Sequence, residues 1–94
     1  MGFGNKYPQS INAELDLHGF HIPEALEALD HFLEESQDNG YRYVRVVTGK
    51  GLHSQGGKAL LREAVKDWLH TEGFDYRYAK QSQGGEGALV IVLF

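Results

Sequence analysis

Apolar positions along this chain switch between a spacing of two and a spacing of three to four, and each switch marks a new element. In "AELDLHG", Ala13, Leu15 and Leu17 alternate with Glu14, Asp16 and His18, the pattern of a strand buried on one face. Ile22, Ala25, Leu26, Leu29, Phe32 and Leu33 then recur at helical spacing, with Pro23 near the start of the run and Asn39-Gly40 at its end, as helix boundaries require. "YRYVRVV" is β-branched and aromatic, which predicts a second strand. Leu60, Leu61, Ala64, Val65, Trp68 and Leu69 stripe a second helix from about residue 57 to 71, stopped by Gly73. "FDYRYAK" alternates again, and "QSQGGEG" reads as a hairpin connection. The last segment, "ALVIVLF", is apolar at every position, so it belongs inside a sheet rather than at an edge.

The order is βαβαββ. Two right-handed crossovers that wind the same way put both helices on one face of a mixed four-stranded sheet. The expected fold is therefore α+β, a two-layer sandwich. Ninety-four residues suit one such domain and one core. Residues 1–11 hold Gly2, Gly4, Asn5, Pro8 and Ser10 without apolar period, the signature of a flexible tail; residues 12–94 form the domain. An apolar ending with no polar flank gives the expectation of a domain cut from a longer protein.

Composition narrows the class. Apolar residues make up 41% and charged residues 23% of the chain, as in ordinary globular proteins, and no apolar run approaches the roughly 18–20 residues of a membrane span. The first residues lack a secretory layout, and the chain has no cysteine, which removes disulfides and thiolate chemistry. A cytoplasmic location and no membrane partner are expected. The net charge of −4 is unevenly spread: residues 1–39 carry one cation against eight acids, residues 40–94 eight cations against five acids. An acidic half beside a mildly basic one leaves a face on which an anion can bind.

Two features converge at one edge of that fold. Asp16 and His18 lie two apart and so share a strand face, and the second parallel strand delivers Thr48, Gly49, Lys50 and Gly51 to the same edge, where α/β sheets gather ligands. The glycines of "VVTGKGLHSQGGK" can present backbone N–H groups to a phosphate or carboxylate. The loop matches neither the Walker A nor the dinucleotide pattern, which argues against a nucleotide cofactor. Lys58, Arg62 and Lys66 recur every four residues on the second helix; Lys58 and Arg62 lie nearest the loop, where a polyanion backbone would pass. His53 lies in the loop, and is either a catalytic or phosphate-binding group that reaches the Asp16/His18 pair or an exposed side chain with no role. His31 and His70 fall on helices, and His18 with His21 lacks the spacing of a zinc site.

"LDLHG", then "VVTGKG" with "HSQGG" behind it, then "GGEGALVIVL", resemble in order and spacing the Smr (small MutS-related) domain family, over residues 13–94. The resemblance implies a fold similar to the C-terminal domain of translation initiation factor three. It also implies endonuclease activity, nicking DNA or cutting RNA, including messenger RNA on ribosomes, so that DNA or RNA and the ribosome are the implied partners. The family's L-D-x-H element falls on Leu15 to His18, and its H/T-G-x-G element on Thr48 to Gly51. Thr48 stands where many bacterial members carry histidine; either His53 fills that place or no group is needed there. The late glycine motif falls on Gly84, Gly85 and Gly87, implying close backbone approach to nucleic acid.

The expected function is then that of a phosphodiester-cleaving nuclease. His18 serves as general base or acid; Asp16 shares in proton transfer, orients His18 or binds a metal. The Thr48–Gly51 loop with Lys50, Lys58 and Arg62 holds the phosphate. RNA supplies its own 2′-hydroxyl nucleophile and needs no metal, whereas DNA calls for a divalent cation such as Mg or Mn. The rival expectations are a non-catalytic nucleic-acid- or ribosome-binding adaptor and a protein-interaction module using the acidic first helix.

Overall fold

The computed structural model describes residues 11–49, 60–79 and 87–94. Its elements follow the expected order: β1 (Ala13–Asp16), α1 (Ile22–Asp38), β2 (Tyr43–Val47), α2 (Leu60–Glu72), β3 (Asp75–Tyr78) and β4 (Ala88–Val92). The sheet order is β1-β2-β4-β3. β1 and β2 pair in parallel, and β4 runs antiparallel to both β2 and β3. The all-apolar strand thus sits between two partners, as its composition requires.

The registers align alternate residues into rows across the sheet. Leu15, Val46, Leu89 and Tyr78 form one row, and Ala13, Val44, Ile91 and Tyr76 the next. Ala13, Leu15, Val44, Val46, Tyr76, Leu89 and Ile91 pack in one cluster with Ala25, Leu29 and Leu33 of α1 and with Val65 and Leu69 of α2. Both helices therefore cover the same face. Truncating a fully buried member such as Leu29 costs about 2–5 kcal/mol in typical cores.

The opposite face carries the row Glu14, Arg45, Val90 and Arg77, with Glu14 and Arg45 ion-paired. Val90 is fully buried there; arginine stems on both sides are the kind of aliphatic cover that shields such a residue.

The element ends are set by hydrogen bonds from backbone N–H groups. Asn12 Oδ1 accepts from the N–H groups of Arg42 and Tyr43, at 2.9 and 3.1 Å, which locks the start of β1 to that of β2. The Glu24 carboxylate accepts from the His21 N–H at the entry to α1, one half of a capping box. Both helices close in the same way: the Tyr41 N–H donates to the Ser36 carbonyl, and the Phe74 N–H to the Leu69 carbonyl. All six acids of α1 (Glu24, Glu27, Asp30, Glu34, Glu35 and Asp38) are exposed, so the acidic helix face is a solvated one. Among the described residues, no helix is long and apolar enough to cross a membrane.

Candidate active site

The chain leaves β1 through a turn built by Asp16. Asp16 Oδ1 accepts from the His18 N–H at 3.1 Å and lies 2.7 Å from His18 Nδ1. Side chain and backbone of the same histidine are thereby fixed to one oxygen, in the manner of an Asx turn. The Phe20 N–H donates to the Leu17 carbonyl at 3.0 Å, and Gly19 sits third in this four-residue turn with φ +84°, the conformation that a type II turn demands there. Leu17 anchors the turn: it is fully buried, and its N–H donates to the Val47 carbonyl at 2.7 Å. Asp16 and His18 do meet, but for a reason other than strand alternation. The strand ends at Asp16, and a side-chain hydrogen bond brings His18 back.

The hydrogen bond from the His18 ring, and after it the one from the His18 backbone, hold the Asp16 carboxyl below the ordinary aspartate range. An ionised carboxylate can only accept, so the proton of this contact resides on Nδ1, and a neutral His18 carries its lone pair on Nε2. The His18 side chain is 69% exposed and that of Asp16 54%. The pair therefore presents a tautomer-fixed imidazole to solvent, able to take a proton at Nε2.

The end of β2 packs against this histidine. Gly49 has φ +84°, and a β-carbon on it would lie 3.3 Å from His18 Cβ. The N–H groups of Thr48 and Gly49 both donate to the Gly87 carbonyl, at 2.9 and 3.1 Å, and Gly87 itself is buried. This corrects the expectation that these amides face a phosphate. They are engaged inside the fold, where one carbonyl ties the end of β2 to the start of β4, and Gly49 serves to let backbone approach His18.

Of the other expected contacts, Arg62 lies half-buried on α2. Lys66 turns away from the site: its Nζ reaches Glu63 Oε2 at 3.2 Å and the Tyr78 hydroxyl at 2.6 Å. His53, Lys50, Gly51, Lys58, Gly84 and Gly85 lie outside the described residues. His21, His31 and His70 are exposed, and among the described residues no three of His, Cys, Asp or Glu gather to hold a metal ion. Pattern reading passed over Phe20, which belongs to neither the strand nor the helix period. It stands 43% exposed in the turn that carries His18; the signal was an aromatic directly after Gly19.

Comparison with known proteins finds relatives of similar sequence and fold. The chain is 42% identical over 78 residues to NEDD4-binding protein 2 of Homo sapiens, covering 78% of this chain and 4% of that protein. It is 34% identical over 84 residues to Endonuclease NBR9 of Saccharomyces cerevisiae, covering 89% of this chain and 34% of the relative. The chain thus spans a small part of the length of these curated relatives. The crystal structure of the Smr domain of Thermus thermophilus MutS2 superposes with a TM-score of 0.76 at 31% identity, over 87% of this chain and 98% of that one. The Smr domain model matches residues 15–94, from the last two residues of β1 to Phe94, and the chain belongs to the Smr domain family.

Proposed function

We propose that this Smr domain is an endonuclease that cleaves phosphodiester bonds of nucleic acid, with Asp16 and His18 at the reacting centre. The observation that carries the reading is the double hydrogen bond from His18 to Asp16 Oδ1, which fixes an exposed imidazole in one tautomer. A binding module has no chemical need for that arrangement. The likeness to a relative named as an endonuclease supports it.

On RNA the chain supplies the general base, the substrate its own nucleophile and solvent the proton for the leaving group. His18 Nε2 accepts the proton of the 2′-hydroxyl, the 2′-oxygen bonds to phosphorus, and the bond from phosphorus to the 5′-oxygen breaks. The 5′-oxygen leaves with a proton from solvent, giving a 2′,3′-cyclic phosphate and a 5′-hydroxyl. Asp16 acts through His18: it holds the Nδ1 proton and stabilises the imidazolium that forms, as the buried acid does in a serine-protease triad. Arg62, with Lys50 and Lys58 assigned from the sequence, would offset the charge growing on phosphate oxygens. DNA has no such internal nucleophile and calls for a divalent cation such as Mg or Mn. The described residues do not converge as a metal site.

The test is cleavage of matched single- and double-stranded RNA and DNA, with and without EDTA, followed by analysis of product ends. RNA cut in EDTA to cyclic-phosphate ends, and left intact by His18→Ala, is the expected result. Tight binding by the wild type without any cleavage would make the domain a nucleic-acid-binding adaptor instead.

A further inference from the structure

Among the described residues of the Asp16/His18 turn, Phe20 is a large apolar side chain that does not pack against the core. It is 43% exposed, whereas the apolar stripe of α1 just after it is packed into that core. A hydrophobic residue just before an N-cap commonly staples onto the fourth helical residue. Here that residue is Ala25, small and already fully buried. A lone exposed aromatic is unremarkable by itself; its surroundings make this one informative. Its N–H is bonded to the Leu17 carbonyl, Leu17 is locked into the core, and α1 begins two residues later. Phe20 therefore projects from a backbone fixed on both sides, inside the same four-residue turn as His18.

We infer that Phe20 is a stacking platform for an unpaired nucleobase next to the scissile phosphate, and so sets a preference for single-stranded or locally unpaired nucleic acid. This rests on the nuclease reading for what lies at His18. A phosphodiester held at His18 Nε2 brings the adjoining nucleoside to the residues of the same turn. A phenyl ring can accept the face of any base, but only when that base is not stacked inside a duplex. The contact involves no base edge, so it carries preference for strand state and none for sequence.

The experiment measures affinity for a fluorescent oligonucleotide, single-stranded and as the matched duplex, in RNA and DNA versions. Binding is measured in a His18→Ala background so that turnover does not interfere, and cleavage is measured separately with His18 intact. Phe20→Ala should weaken single-strand binding by about 5- to 150-fold, the range expected for one base–aromatic stack, and leave duplex binding unchanged. Phe20→Trp should restore single-strand affinity, which a merely structural role for residue 20 would not predict. RNA and DNA strands should respond alike, since both offer the same base face. Equal binding of single strands by Phe20→Ala and its parent would overturn the inference, as would equal losses on single strand and duplex or failure of Phe20→Trp to rescue. If the domain with His18 intact cuts nothing, the nuclease reading fails, while the strand-state preference is still decided by the binding data.

Discussion

At the β1 edge of the sheet, Asp16 accepts both hydrogen bonds from His18 and leaves that histidine its Nε2 lone pair and a 69% exposed side chain. At the β3 edge, Lys66 lies between Glu63 and the Tyr78 hydroxyl. Its Nζ is 5.1 Å from the Tyr78 ring centroid and 2.6 Å from the hydroxyl oxygen, which places the ammonium near the ring plane at the hydroxyl end rather than over the ring face. Tyr78 is 55% exposed and the Glu63 side chain 59%, whereas the Lys66 side chain between them is 20% exposed. What separates the two edges is the direction in which the polar groups point. At β3 a cation, an acid and a hydroxyl turn toward one another and make a surface clasp. At β1 the acid completes one side of an imidazole and thereby aims the other side outward. Pairing of polar groups is a site when it directs a reactive atom to solvent.

The sharpest way to break this comparison is to remove either member of the β1 pair. Asp16→Ala and His18→Ala should each reduce cleavage by about 10²–10⁴-fold, the usual contribution of a general acid–base group. Thermal melting should barely move in His18→Ala, whose side chain is exposed, and fall slightly in Asp16→Ala, which loses the bond to the His18 N–H. Initial rates at the wild-type level in both variants would leave the two edges equivalent and the proposed centre wrong.

Gly49→Ala tests the support behind His18. The left-handed conformation costs a non-glycine residue about 1–2 kcal/mol, and the new β-carbon would press on His18 Cβ at 3.3 Å. A lowered melting temperature together with slower cleavage is expected. If melting falls while cleavage holds, Gly49 only turns the chain.

Tyr78→Phe and Lys66→Ala probe the other edge. Surface contacts of this kind add little to stability, and cleavage should be unchanged. A large loss of activity in either would extend the active centre across the sheet.

The smallest effect is on pH dependence. The folded Asp16 carboxyl titrates below its unfolded value because His18 donates to it, so the unfolded chain takes up this proton first as pH falls. The contribution of Asp16 to stability is therefore complete above about pH 4 and is lost as pH drops through the lower folded value. Carboxyl NMR titration should show the Asp16 midpoint moving up toward the ordinary range in His18→Ala; an unmoved midpoint would mean that the hydrogen bond does not hold in solution.

The pairing of Asp16 with His18 was legible as two residue types at the right spacing, but its cause was not. Strand alternation and an Asx turn both bring positions i and i+2 together, and only the observed end of β1 distinguishes them. Lys66 was legible as part of a basic stripe, because helical spacing is local. Its partner Tyr78 lies twelve residues away on another element, and nothing in the helix pattern points to it. The glycines were legible as a loop, whereas the hydrogen bond of Gly49 was not: the Gly87 carbonyl that engages the Thr48 and Gly49 amides comes from the residue just before β4.

The sequence by itself determined the element order, the faces of each strand and helix, the interior place of β4 and the acidic outer side of α1. These follow from period and composition, which act over a few residues and are written directly in the chain. Tertiary structure alone decided that Gly49 stands against His18, that the amides of Thr48 and Gly49 bond to Gly87, and that Lys66 is drawn to Tyr78. Each depends on sheet register and on the approach of segments far apart in the chain, where a shift of one residue would exchange every partner.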